Sequence, residues 1–133
     1  MCGIVGVVEG RGFEVSQAQF AAGITAIRHR GPDDEGVWSE NGVTLGHRRL
    51  SIVDLSPAGR QPMLSACERY IITYNGEIYN HNVLRANLEA TSPRQWRGGS
   101  DTEVLLALIV RDGVERALQQ VDGMFAFALW DRR

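Results

Sequence analysis

The chain has 133 residues, 44% of them hydrophobic, and a net charge of −2 from 14 basic and 16 acidic side chains, enough apolar material for one compact core. The charges are interspersed, which excludes a basic nucleic-acid-binding block and a charged disordered tail, and the apolar run at 2–8 is too short for a membrane span or a secretory leader. Two cysteines exclude a disulfide framework, so the expectation is a cytoplasmic protein with reduced thiols and neither nucleic acid nor membrane as partner.

In chain order, CGIVGVV at 2–8 reads as a strand apolar on both faces. Ser16 followed by Gln19 has the form of a capping box. The helix it opens carries Phe20, Ile24 and Ile27 on one face and is expected to run to about His29, before Gly31-Pro32. EGVWSE and VTLGH flank Asn41-Gly42, the strongest short hairpin signal. RLSIVDL reads as a further strand, SPAGRQP as a loop, and the alternating RYIITYN at 69–75 as another strand. Residues 81–90 look helical, Ser100 with Glu103 opens a second capping box, and VERALQQ forms a short helix. In the last strand, Phe125, Phe127 and Leu129 alternate with Ala126, Ala128 and Trp130, so both faces need cover. Hairpin-linked strands with grouped helices predict an α+β fold of stacked, mainly antiparallel sheets with helices outside. A buried-type strand so near Arg133 suggests a domain incomplete at its C-terminal end, part of a longer chain.

Five positions could carry chemistry, each with an ordinary alternative. If Met1 is trimmed, Cys2 becomes an N-terminal nucleophile whose own amine can act as base; otherwise it is a small hydrophobe at the start of a strand. Cys67 has no such arrangement and reads as structural. Asn75-Gly76 is either a second hairpin turn, the simpler reading, or a pair of neutral donors converging on an oxyanion. Arg49 is either an exposed strand arginine, as its neighbour Arg48 is expected to be, or a fork for a carboxylate. Asp101 is either a helix-dipole acid or the acceptor of an ammonium group. His29, His47 and His81 lack the spacing of a metal site, and no phosphate-binding glycine loop is present.

A carboxylate on Arg49, an ammonium on Asp101 and a carboxamide between Cys2 and Asn75-Gly76 describe glutamine. The chain resembles the glutaminase domain of class II (N-terminal nucleophile) amidotransferases, of the glutamine-hydrolysing asparagine synthetase type. Six collinear stretches carry the resemblance: MCGIVG at 1–6, RHRGPDD at 28–34, GHRRLSIV at 46–53, YNGEIYN at 74–80, SDTE at 100–103 and DGMFAFALWD at 122–131. It implies a single glutaminase domain over 1–133, with the four-layer αββα sandwich of the N-terminal-nucleophile hydrolases. Cys2 is then the nucleophile and Asn75 and Gly76 the oxyanion hole. Arg49 binds the α-carboxylate, and Asp101, with the Glu77 region and the backbone of Ile52 and Val53, takes the α-amine. RHRGPDD shapes the pocket wall. The resemblance further implies L-glutamine as substrate, no cofactor in this domain, and a C-terminal synthetase domain in the same chain, to which ATP and Mg belong. It is compatible with a homodimer. The alternative is a non-catalytic glutamine-binding or protein-interaction module; a thiol protein regulated through a Cys2–Cys67 disulfide is a more distant one.

Overall fold

The computed structural model describes residues 2–52 and 55–133. Two three-stranded antiparallel sheets form the frame. The first has the order β1 (Gly3–Val8), β3 (Val43–Arg49), β2 (Asp34–Glu40), and the second β4 (Met63–Leu64), β5 (Tyr70–Ile78), β6 (Gly123–Asp131). Both central strands have one long antiparallel neighbour along their full length: β2 for β3 and β6 for β5.

Side-chain parity on β5 divides the interior in two. Tyr70, Ile72, Tyr74 and Ile78 pack against helices α2 (His81–Thr91) and α3 (Asp101–Asp112), with Ala117 of α4 (Val114–Leu118) closing the cluster. Ile71, from the opposite face, meets Val43 and Leu45 of β3, and Thr73 donates to the Gly46 carbonyl at 3.2 Å. The alternation read in β6 holds: Phe125, Phe127 and Leu129 join the helical cluster, whereas Ala128 and Trp130 join the inter-sheet one. Helix α1 (Gln17–Ala26) buries Phe20 and Ile24 beside β1 and β3.

Local signals performed well. Ser16 and Gln19 form the reciprocal capping box. Asn41 and Gly42, both at positive φ, make the β2–β3 turn. Ser100 caps α3 through the Glu103 N–H, although the Glu103 carboxylate turns to the backbone N–H groups of Arg97 and Gly98 and leaves the box half formed.

Several expectations are corrected. Helix α1 stops at Ala26 and a single 3₁₀ turn covers Arg28–Arg30. The described residues of RLSIVDL beyond Arg49 form no further strand. β3 ends at Arg49 because its partners begin opposite, at Gly3 and Asp34, and nothing remains to pair with; Val53 and Asp54 lie outside the described residues. β1 is not buried on both faces, since it lies at a sheet edge with Val8 70% exposed. β6 is likewise an edge strand of its sheet, half-buried over most of its length.

Candidate active site

The β1–β3 register sets Gly3 opposite Arg48, which brings Cys2 alongside Arg49 at the end of the first sheet. The Cys2 Sγ accepts the Leu50 N–H at 3.4 Å, and the thiol lies 3.6 Å from the Leu50 carbonyl, so the chain leaving β3 wraps the sulfur. His47 and Arg49 share one face of β3 by the two-residue period. The Arg49 guanidinium donates to the Ser56 carbonyl at 3.0 Å. Arg48, on the other face, is not exposed as expected: it is buried, donates to the Gly31 carbonyl at 3.0 Å and pairs with Glu35.

The second sheet contributes Asn75 and Gly76. They form no turn. Both lie inside β5, paired with Ala126 and Phe125, because β6 runs antiparallel to β5 all the way to Gly123. Gly76 is required there by close approach: a Cβ would lie 2.3 Å from the Met124 carbonyl oxygen and 2.5 Å from Phe125 Cα. The Asn75 side-chain oxygen is buried and finds no hydrogen-bond partner among the described residues.

Asp101, the first residue of α3, is buried at 5% exposure. Its carboxylate accepts the Tyr74 hydroxyl at 3.1 Å and the backbone N–H groups of Ile78 at 3.0 Å and Thr102 at 2.8 Å. Burial, and then the adjacent Asp101 charge, push the Tyr74 phenol far above its ordinary range, so it stays a neutral donor. His47 lies 3.0 Å from the Tyr74 carbonyl through Nε2, and burial lowers its pKa to about 4.

These groups face one cavity of about 280 Å³ between the ends of the two sheets and the N-terminus of α3. Every predicted site residue among the described residues lines it: Cys2, Arg49, Ile52, Asn75, Gly76, Glu77 and Asp101. Val53, and Met1 ahead of Cys2, lie outside the described residues. RHRGPDD does not form the wall. It stands behind it: Asp33 N–H donates to the Arg49 carbonyl at 3.0 Å, and the Asp33 carboxylate accepts the Ser51 N–H at 2.8 Å. Sequence reasoning missed His47, Gln61, Tyr74 and Thr102, which also line the cavity. Only His47 had a usable signal, its parity with Arg49 on β3.

Cys67 is exposed, away from this cavity, and both cysteines are free. Its thiol is held below the ordinary range, first by the Ser65 hydroxyl 3.5 Å away. Among the described residues no group of three or more His, Cys, Asp or Glu could hold a metal ion, and no helix is long and apolar enough to cross a membrane.

The sequence profile of the glutamine amidotransferase domain matches residues 1–133. The chain belongs to that family. This amidotransferase domain is 43% identical, over its full length, to asparagine synthetase [glutamine-hydrolyzing] 3 of Bacillus subtilis, of which it spans 22%. It is also 43% identical to asparagine synthetase B [glutamine-hydrolyzing] of Escherichia coli, over 98% of this chain and 23% of the relative. Among solved structures, glutamine phosphoribosylpyrophosphate amidotransferase from B. subtilis superposes with a TM-score of 0.78 over 96% of this chain and 35% of the other. At 20% identity, that likeness establishes the shared fold. The amidotransferase domain thus spans about a fifth of the length of the curated relatives it matches.

Proposed function

We propose that this cavity hydrolyses the side-chain amide of glutamine to glutamate and ammonia. The observation that carries the reading is the convergence on one cavity of Cys2 from the start of β1, Arg49 from β3, Asn75 and Gly76 from β5, and Asp101 from α3. Once Met1 is removed, the α-amine freed beside the Cys2 thiol is the base that takes the thiol proton. The sulfur adds to the amide carbon, and charge develops on the amide oxygen. Asn75 Nδ2–H and Gly76 N–H are the donors for that oxygen; by strand alternation the Gly76 N–H points to the same side as the Tyr74 N–H, away from β6. The proton then passes to the leaving nitrogen, ammonia departs, and water cleaves the γ-glutamyl thioester to restore the thiol.

Arg49 holds the substrate α-carboxylate through a charge-assisted fork. Three of the roughly four lone-pair positions of the Asp101 carboxylate are filled by Tyr74, Ile78 and Thr102, leaving one for the α-ammonium. Ile52, Glu77 and the Val53 backbone complete the α-amine side. The fold behind this chemistry is the four-layer αββα sandwich of the N-terminal-nucleophile hydrolases, and the step draws on no cofactor.

The asparagine synthetase relatives support a finer reading: the ammonia serves ATP- and Mg-dependent amidation of a carboxylate, aspartate by default, in a synthetase domain of the same protein. The test is ammonia release from glutamine by the intact protein and by Cys2→Ala, with the mass of the N-terminal peptide reporting Met1. The expected outcome is loss of Met1 and no release from the variant. Equal release from both would refute the role of Cys2.

A further inference from the structure

We propose that Gln61 is a positioning residue for this hydrolysis, an inference that rests on the reading of the site given above. Strand β4 pairs only Met63 with Ile72 and Leu64 with Ile71. Continued, the same register would set Gln61 opposite Tyr74, but the ladder stops at Met63. The Gln61 carbonyl leaves the sheet and lodges against β2 at Gly36, where a Cβ would lie 2.0 Å from its oxygen.

The Gln61 side chain makes the bond that the strand does not. Its Oε1 accepts the Tyr74 N–H at 2.6 Å, and its Nε2 donates to Thr102 Oγ1 at 3.3 Å. Tyr74 immediately precedes the Asn75-Gly76 donor pair, and Thr102 immediately follows Asp101. One carboxamide therefore ties the strand that carries the oxyanion donors to the helix end that carries the ammonium acceptor, while its own backbone is seated on the other sheet. The other backbone group of Tyr74, its carbonyl, is met by His47, whose Nε2 lies 3.0 Å away. With both Tyr74 backbone groups fixed by side chains, the next N–H on that edge, that of Gly76, is fixed in direction as well. Gln61 touches no reacting atom in this arrangement; it acts through Tyr74 and Thr102.

The experiment compares the intact wild-type protein with Gln61→Met, which keeps chain length and loses both bonds, and Gln61→Glu, which keeps an acceptor for the Tyr74 N–H. Ammonia release is measured from glutamine and from 4-carbamoylbutanoate, which lacks the α-amine, and hydrogen exchange is followed in the peptide spanning 73–77. Loss of an oxyanion donor costs about 10²–10³ in rate, so misplacing both donors is expected to lower kcat in Gln61→Met by about tenfold or more. Exchange at Tyr74 accelerates, the preference for glutamine over the deamino analogue shrinks, and Gln61→Glu recovers most of kcat. Faster exchange with unchanged kcat would overturn the proposal and leave Gln61 as a cap on a sheet edge. If Gln61→Met does not fold, Thr102→Val severs the helix end of the same bridge; an unchanged preference for glutamine over the analogue would overturn the proposal there. Absence of ammonia release from the wild type would overturn the reading of the site, and the positioning role with it.

Discussion

Acidification offers a direct test of how the two sheets are joined. His47 is 1% exposed, and its Nε2 lies 3.0 Å from the Tyr74 carbonyl. A carbonyl only accepts, so Nε2 carries a proton, and the lowered pKa keeps the ring neutral near pH 7. Burial holds the pKa at about 4 against an ordinary 6.5; the bond to Tyr74 opposes this shift and the Arg49 charge adds to it. Between those two values the unfolded chain binds a proton that the folded chain refuses. Stability contributed here is therefore fully present above pH 6.5 and is lost as the pH falls towards about 4, below which this group adds no further slope. Each tenfold change in proton affinity is worth about 1.4 kcal/mol, so the whole window amounts to roughly 3 kcal/mol. Asp34 and Asp131 titrate lower, because their folded pKa values are depressed below 3.8, and their losses fall in a more acidic range. The assay is urea unfolding, followed by tryptophan fluorescence, of wild type and His47→Gln, whose amide can donate to Tyr74 and does not titrate. The wild type is expected to lose on the order of 3 kcal/mol across the window and the variant to lack that component. Parallel pH profiles for the two proteins would refute the assignment of a neutral, buried His47.

Two further substitutions probe the strand and the helix end. Gly76→Ala drives a methyl group into the Met124 carbonyl and Phe125 Cα, main-chain atoms that cannot rotate aside. It is expected to lower stability by at least about 1–3 kcal/mol, read as a fall in Tm, and a variant melting with the wild type would contradict the close approach. Asp101→Asn removes the charge and leaves one of three donors without an acceptor. Losing one partner of a buried charged pair costs about 2–5 kcal/mol, so KM for glutamine is expected to rise about 30-fold or more, with kcat changing less. An unchanged KM would remove Asp101 from substrate binding.

What could be read from the sequence was what is decided within a few residues. The Ser16–Gln19 box, the Asn41-Gly42 turn and the Ser100 cap each close their hydrogen bonds locally, and each is where it was expected. The alternation in β6 was equally legible, since parity is a property of the strand itself. Of the two readings of Asn75-Gly76, the turn fails because the distant β6, arriving some fifty residues later, carries the chain straight on. The described residues of RLSIVDL beyond Arg49 depart from the strand reading for the converse reason: they are apolar enough, but β1 and β2 offer no partner there. Arg48 is buried because Gly31 and Glu35 come to it from the 28–35 segment, which no local pattern announces. Gln61 is invisible for the same reason, since its two partners are 13 and 41 residues away.

The division of β5 between two interiors has a consequence for how this domain can change length. Odd and even residues of the strand answer to different neighbours, so inserting or deleting one residue between Tyr70 and Asn75 would exchange the two sets. Ile71 would be aimed at the helices, and the residue ahead of Asn75 would turn its side chain away from Asp101. A two-residue change would restore parity yet slide Asn75 along β6 by a full repeat, out of reach of Cys2's end of the sheet. Neither route leaves the cavity intact. The strand is therefore closed to insertions and deletions in a way that the exposed turn at Asn41-Gly42, which touches neither interior, is not.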